Sequence, residues 1–182
     1  MIRAAVLAAA VIVLAGCAAP VVTRVDAVGP LALPRNASFA VAPVPDDASI
    51  LNGQARDMVA AALRQRGWRQ TGIENADYVL AVTLADRPAT IALKSGNDEG
   101  TTAEILAPAA DRRTSRGCAE RDHRLVFTLT DRPSGSMAFS SAASEFHCKA
   151  GLNDSLPHLV TAAVEGLDAG SGRVALSRKG LR

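Results

Sequence analysis

The sequence predicts an α+β domain, a mixed and mainly antiparallel sheet of about four strands with two helices on one face, in the order β-α-β-β-β-α. Three observations carry this expectation. Between Ile50 and Arg66, and again after Asn153, apolar residues recur at spacings of three and four, the period of an amphipathic helix. From Leu125 to Thr130 they alternate instead, and beyond the turn-forming stretch Asp131–Ser136 an extended pattern resumes over Met137–Phe146, which reads as a β-hairpin. Between the first helix and that hairpin, Ala76–Leu84 is largely apolar on both faces of a strand, which suits a central position.

Taken in order, Ser38–Val44 is apolar and β-prone, is closed by Pro43 and Pro45, and makes the first core strand. In the first helix Leu51, Ala55, Met58, Val59, Ala62 and Leu63 share a face that Arg56, Asp57, Arg64 and Gln65 avoid. Asp46, Asp47 and Ser49 offer capping oxygens at its positive end, while Arg64 and Arg66 sit at the negative end. Gly67 supplies the left-handed stop, and Trp68 is expected to fold back on the last turn as a core residue. Thr90–Leu93 extends the second strand beyond a break at Arg87 and Pro88. Residues 94–117 are polar and without period, and are expected to form a long loop. In the last helix, capped by Asn153 or Asp154 with Pro157 in its first turn, Leu156, Leu159, Val160, Ala163, Val164 and Leu167 form the apolar face. Residues 169–182, with Gly170, Gly172 and Gly180 among Arg173, Arg178, Lys179 and Arg182, read as a basic flexible tail.

The chain has 182 residues, 20 Lys and Arg against 18 Asp and Glu, and six aromatic residues. A net charge of +2 is too small to drive phosphate binding and the aromatics are too few for base stacking, so no nucleic acid partner is expected. Met1–Arg3 is a short positive start and Ala4–Ala15 has no polar side chain. As a helix that run spans about 18 Å, against about 30 Å of bilayer hydrocarbon, so residues 1–16 read as a signal peptide. Leu14-Ala15-Gly16-Cys17 resembles the lipobox of bacterial lipoproteins, which implies cleavage before Cys17 and diacylation of its thiol. By the same resemblance Ala18, where Asp would retain the protein, implies sorting to the outer membrane. Residues 17–35, with Pro20, Gly29, Pro30 and Pro34, then form the lipidated Cys and a tether carrying one edge strand around Val21–Val25, and residues 36–168 the single folded domain.

A helix closing in Arg66-Gly67-Trp68, followed by the strand opening Ala76-Asp77-Tyr78-Val79-Leu80, resembles a family of bacterial lipoproteins with an α/β domain of unknown function. The likeness covers Phe39 to Leu84. The order of helices and strands is also similar to that of the lipopolysaccharide-assembly lipoprotein and, more distantly, the curli-assembly lipoprotein. The family carries no catalytic residues that would transfer to this chain.

With Cys17 lipidated, Cys118 and Cys148 remain in an oxidising compartment and pair by elimination. Register agrees, because a turn at 131–136 pairs positions whose numbers add to about 267. The alternatives are two free thiols, or metal ligands together with His123 and His147. The metal alternative is disfavoured because adjacent His147 and Cys148 point to opposite sheet faces and His123 would face residue 144. No cofactor or metal is expected. Arg112, Arg113 and Arg116, with Arg121 and Arg124 beyond, are a candidate contact for anionic lipid or lipopolysaccharide phosphates, although Asp111, Glu120 and Asp122 interrupt the cluster and also fit an ordinary solvated surface. No nucleophile elbow, Walker loop or zincin motif occurs; Gly170-x-Gly172-x-x-Ala175 follows a helix rather than a strand and is not a dinucleotide site.

These readings converge on a non-catalytic envelope lipoprotein facing the periplasm, held on the membrane through acylated Cys17 and acting as a binding or assembly module for an envelope protein partner or anionic lipid. The first alternative is an accessory of lipid or lipopolysaccharide transport, for which an apolar groove would speak. The second is a hydrolase, which would need His123 or His147 to meet a carboxylate and a hydroxyl in a cleft.

Overall fold

A computed structural model of the chain describes residues 20–30, 33–34, 36–43, 49–95, 104–111, 113 and 117–179. The described residues form an α+β fold with two α-helices and a mixed sheet, but that sheet has seven strands where about four were expected. The four expected strands stand side by side in the middle of it: β2 (Ser38–Val41), β4 (Tyr78–Pro88), β7 (Arg121–Asp131) and β8 (Met137–His147). The additional strands are β1 (Val21–Val28), β3 (Arg69–Gln70) and β9 (Gly172–Arg178), and the full order is β3-β2-β4-β7-β8-β1-β9. Only β2 runs parallel to its neighbours β3 and β4, since helix α1 (Ile50–Gln65) carries the chain from β2 across to β4.

Three expectations are corrected here. The tether includes β1, a full strand lying inside the sheet between β8 and β9 rather than at its edge. Its buried Val21, Thr23, Val25 and Ala27 alternate with exposed Arg24, Asp26 and Val28, a period that short length and flanking Pro and Gly concealed. The flexible tail is β9, which pairs with β1 from Val21↔Arg178 to Ala27↔Gly172 and places Arg173 Nε 2.7 Å from Asp26 Oδ1. Such pairing joins positions about 150 residues apart, beyond any local pattern. Residues 94–117 are not a plain loop either: β5 (Thr90–Ser95) and β6 (Glu104–Asp111) form a separate antiparallel ribbon whose register shifts at two points, which is why the segment has no period.

Both helices cover one face. In α1, Ala55, Val59, Ala60 and Leu63 are buried and Leu51, Met58 and Ala62 pack against the core. Ser49 Oγ accepts from the Asn52 N–H at 3.3 Å; Asp46 and Asp47 lie outside the described residues. The Asn52 side chain in turn accepts from the Leu84 N–H at 3.0 Å, satisfying a stretch of β4 that the short β2 leaves unpaired. At the other end Gly67 adopts φ 89°, the Trp68 N–H returns to the Leu63 carbonyl, and the buried indole meets the Tyr78 ring with centroids 5.6 Å apart. Helix α2 (Leu152–Ala169) begins one residue before the expected caps; Asp154, in its first turn, accepts from the Gly151 N–H at 2.9 Å. Gly166 is set so close to the sheet that a Cβ there would come 2.8 Å from Ser141 Oγ, so its lack of a side chain sets the spacing of helix and sheet.

The family-like motifs have structural jobs. Asp77 Oδ2 accepts from both the N–H and the hydroxyl of Ser38 at 2.7 Å, clamping β2 to the start of β4, and these bonds hold its carboxyl below the usual carboxylate range. Arg66 donates to the Val164 carbonyl and pairs with Asp168 at 3.1 Å, tying the end of α1 to α2. Between helices and sheet lies a core around Phe39, Leu63, Leu80, Leu125, Phe127, Leu129, Phe139 and Leu159. No described element covers the opposite sheet face, where β4, β7 and β8 carry small residues such as Ala81, Thr83, Thr128, Ser140 and Ala142.

Candidate functional site

The inward rows of β7 and β8 are apolar but for Ser141 until one end of the hairpin, where Leu125 and Ala143 give way to His123, Glu145 and His147. The ladder pairs His123 with Glu145 and Arg121 with His147, one position from the expected register, so that His123 faces residue 145 rather than 144. This small shift brings both imidazoles onto the helix-covered side, stacked at 4.9 Å.

Glu145 is fully buried and is the centre of the group. It accepts from Thr23 Oγ1 at 2.5 Å, from His147 Nε2 at 2.7 Å, and from a fork of Arg178, Nη2 at 2.8 Å and Nε at 3.3 Å. Burial alone would push its carboxyl up; the bonds from His147, Arg178 and Thr23 outweigh that and bring it down to about 2. Three strands therefore meet at one carboxylate, β1 through Thr23, β8 through Glu145 and His147, and β9 through Arg178, with β7 beside them through His123, stacked on His147.

His123 Nδ1 contacts Ser155 Oγ at 2.6 Å, and its Nε2 lies 3.6 Å from Asp86 Oδ1, which also takes the Arg121 Nε at 2.6 Å. Burial first, then the neighbouring His147, hold the His123 imidazole below its ordinary value and favour the neutral ring. A hydroxyl, an imidazole and a carboxylate do meet here. They meet beneath the sheet: Ser155 is 0% and His123 1% exposed, and Ser155 Oγ also lies 3.2 Å from the Leu152 carbonyl inside the first turn of α2. What this arrangement does chemically is hold a buried charge and fix the ends of four strands and α2 to one another. Among the described residues no cluster of three or more His, Cys, Asp or Glu has the geometry to hold a metal ion.

Cys118 and Cys148 form a disulfide, with Cα atoms 5.9 Å apart, just beyond the paired ends of β7 and β8. It closes a separation of 30 residues, so Cys118→Ser with Cys148→Ser is expected to cost about 3–4 kcal/mol, read as a lower urea midpoint that reductant reproduces in the unsubstituted protein. Cys17, Arg112 and Arg116 lie outside the described residues. Arg113 is exposed and donates to the Gly117 carbonyl at 3.2 Å. Sequence reasoning missed Glu145, Thr23, Ser155 and Arg178; the signal it could have used is a Glu and a His on the apolar parity of an otherwise alternating strand.

Along the seam of α2 with β1 and β9 runs an apolar groove of about 70 Å³, lined by Val25, Ala27, Ala162, Gly166, Val174 and Leu176 among others. Among the described residues no helix is long and apolar enough to cross a membrane.

No protein-family model matches the chain, and no curated protein matches it. Among solved structures, a PDZ domain protein from Parabacteroides distasonis is similar in fold, with a TM-score of 0.58 and 10% identity over 87% of this chain. The match spans 38% of that protein's length. Two structures of the PelC dodecamer from Paraburkholderia phytofirmans, one of a single-substitution variant, are 20% identical over 80% of this chain and 97% of theirs, with TM-scores of 0.48 and 0.49.

Proposed function

We propose that this chain is a non-catalytic binding or assembly module of the bacterial cell envelope, facing the periplasm and held on the outer membrane by acyl chains on Cys17. The observation that carries the reading is Leu14-Ala15-Gly16-Cys17, small residues and a Cys directly after a twelve-residue apolar run. Two or more acyl chains anchor a protein far more firmly than one. The hydrolase alternative is disfavoured because the Ser155, His123 and Asp86 row has its hydroxyl and imidazole sealed from solvent. The transport alternative draws on the groove along α2, but about 70 Å³ is far below the roughly 300 Å³ at which ligand pockets begin.

The test is chemical. In protein isolated from its own envelope, the N-terminal peptide is expected to begin at Cys17 and to carry the mass of its acyl groups, and Cys17→Ser is expected to move the protein out of the membrane fraction. An unmodified Cys17, or a Cys17→Ser protein that stays with the membrane, would sink the reading. Purification in mild detergent followed by mass spectrometry would then identify the protein or lipid that the module holds.

A further inference from the structure

The position of β1 determines which way an anchored domain faces. Only Ala18, Ala19 and Pro20 separate Cys17 from Val21, the first residue of a strand inside the sheet. Those four steps span at most about 14 Å even fully extended, whereas the eleven-residue strands β7 and β8 are roughly 36 Å long. A lipid on Cys17 therefore holds one end of the sheet near the bilayer and keeps the other end away. Register identifies that end: Val21 pairs with Arg178, Arg121 with His147, and Pro88 with Arg121. It is where β1 and β7 begin and where β4, β8 and β9 finish.

This end presents more cations than anions. Arg87, Arg113, Lys149 and Lys179 are exposed there, and none has an ion pair with a carboxylate among the described residues. One step further along, Arg24 and Arg124 flank Ser144 on the uncovered sheet face, both exposed, with Arg24 over the Phe146 ring at 5.2 Å. Of the carboxylates at the same end, Glu145 is buried among its three donors, Glu120 is 5% exposed and Asp86 pairs with Arg121, while Asp154 is exposed and accepts the Gly151 N–H at the start of α2. Asp122 there is half-buried, and Asp111 ends β6 opposite Thr90. At the far end charges interleave instead, with Arg69 and Arg132 close to Asp77 and Arg132 close to Asp131.

We propose that the end of the sheet at which β1 begins is a membrane-facing surface that takes the anionic phospholipid headgroups of the bilayer holding the anchor, through Arg87, Arg113, Lys149 and Lys179. The inference rests on the lipidation of Cys17. It gives the short linker a purpose: the linker holds the start of β1 no more than about 14 Å from Cys17, a distance comparable to the Debye length of about 10 Å at 0.1 M salt, and a basic residue near the headgroups shifts the equilibrium roughly fivefold.

The test uses the isolated acylated protein, its N-terminal peptide first weighed, reconstituted in phosphatidylcholine vesicles with and without phosphatidylglycerol. Amine-reactive labelling of Lys149 and Lys179, read residue by residue, is expected to slow about fivefold or more on the anionic vesicles and to recover at about 1 M salt, where the Debye length is about 3 Å. Arg87→Ser with Arg113→Ser is expected to weaken that protection, while Arg64→Ser, at the end of α1, leaves it intact. Equal labelling on both vesicles with Cys17 acylated would overturn this inference and leave the anchor reading standing, and so would protection that appears only when lipopolysaccharide is added. An unacylated Cys17 would overturn the anchor reading and this orientation with it.

Discussion

Replacing Glu145 with Ala is expected to destabilise the protein by about 3–5 kcal/mol, the loss seen when one partner of a buried ion pair is removed. The substitution leaves Arg178, Thr23 and His147 pointing at an empty space within the inner face, and it creates a cavity beside His123. Urea unfolding at pH 7 would measure it; a midpoint shift worth less than about 1 kcal/mol would show that water replaces the carboxylate without cost. Glu145→Gln separates charge from shape. The pH dependence follows from the directions of the two shifts. The Glu145 carboxyl falls from 4.5 to about 2 in the folded protein, so the stability it contributes, roughly 3 kcal/mol, is present above pH 4.5 and is lost as pH falls toward 2. His123 is held below its ordinary 6.5 by burial and by His147, so protons bind the unfolded chain first and stability already declines below pH 6.5. Both groups act in the same direction, and acid is expected to loosen the end of the sheet at which β1 begins. In Glu145→Gln the step below pH 4.5 should be missing while the one near pH 6.5 persists.

Truncation after Ser171 is expected to be at least as damaging. A flexible tail could be removed without effect; here the deletion takes away β9. The loss includes the β1–β9 ladder from Val21↔Arg178 to Ala27↔Gly172, the Arg173–Asp26 pair, and the Arg178 fork on Glu145. Removing that fork alone leaves a buried carboxylate short of its cation, in the range of 3–5 kcal/mol. The truncated chain would also expose β1, alternating and apolar on one side, as a sheet edge, so concentration-dependent association is expected beside the lower urea midpoint. A truncated protein that unfolds at the same urea concentration as the full chain would show that β9 adds nothing to the fold.

Much of the architecture was legible before the structure was known. The helices over Ile50–Gln65 and Leu152–Ala169 and the hairpin of β7 and β8 announce themselves because their signals are local: a period of 3.6 or 2, a Ser49 cap, a Gly67 stop, a turn at 131–136. The Cys118–Cys148 disulfide followed from the same register, to within a residue or two. The signal peptide and lipobox that the sequence leads one to expect are likewise read from consecutive residues.

What the local pattern could not supply was anything joined across the chain. β1 and β9 are short and flanked by Gly or Pro, and each becomes a strand only because the other, with β8, satisfies its backbone groups from more than a hundred residues away. The bulged ribbon of β5 and β6 has no period to read. The same holds for the polar group under the sheet: Thr23, Glu145, His147, Ser155 and Arg178 come from four elements, and no spacing between them in sequence implies that they touch. Sequence alone thus determined the two helices, the four central strands and the expected address, since these depend on neighbours along the chain. Tertiary structure alone decided that the supposed tether and tail are adjacent strands, that a buried carboxylate ties them to the rest, and at which end of the sheet β1 begins, because burial and charge compensation are properties of packed surfaces.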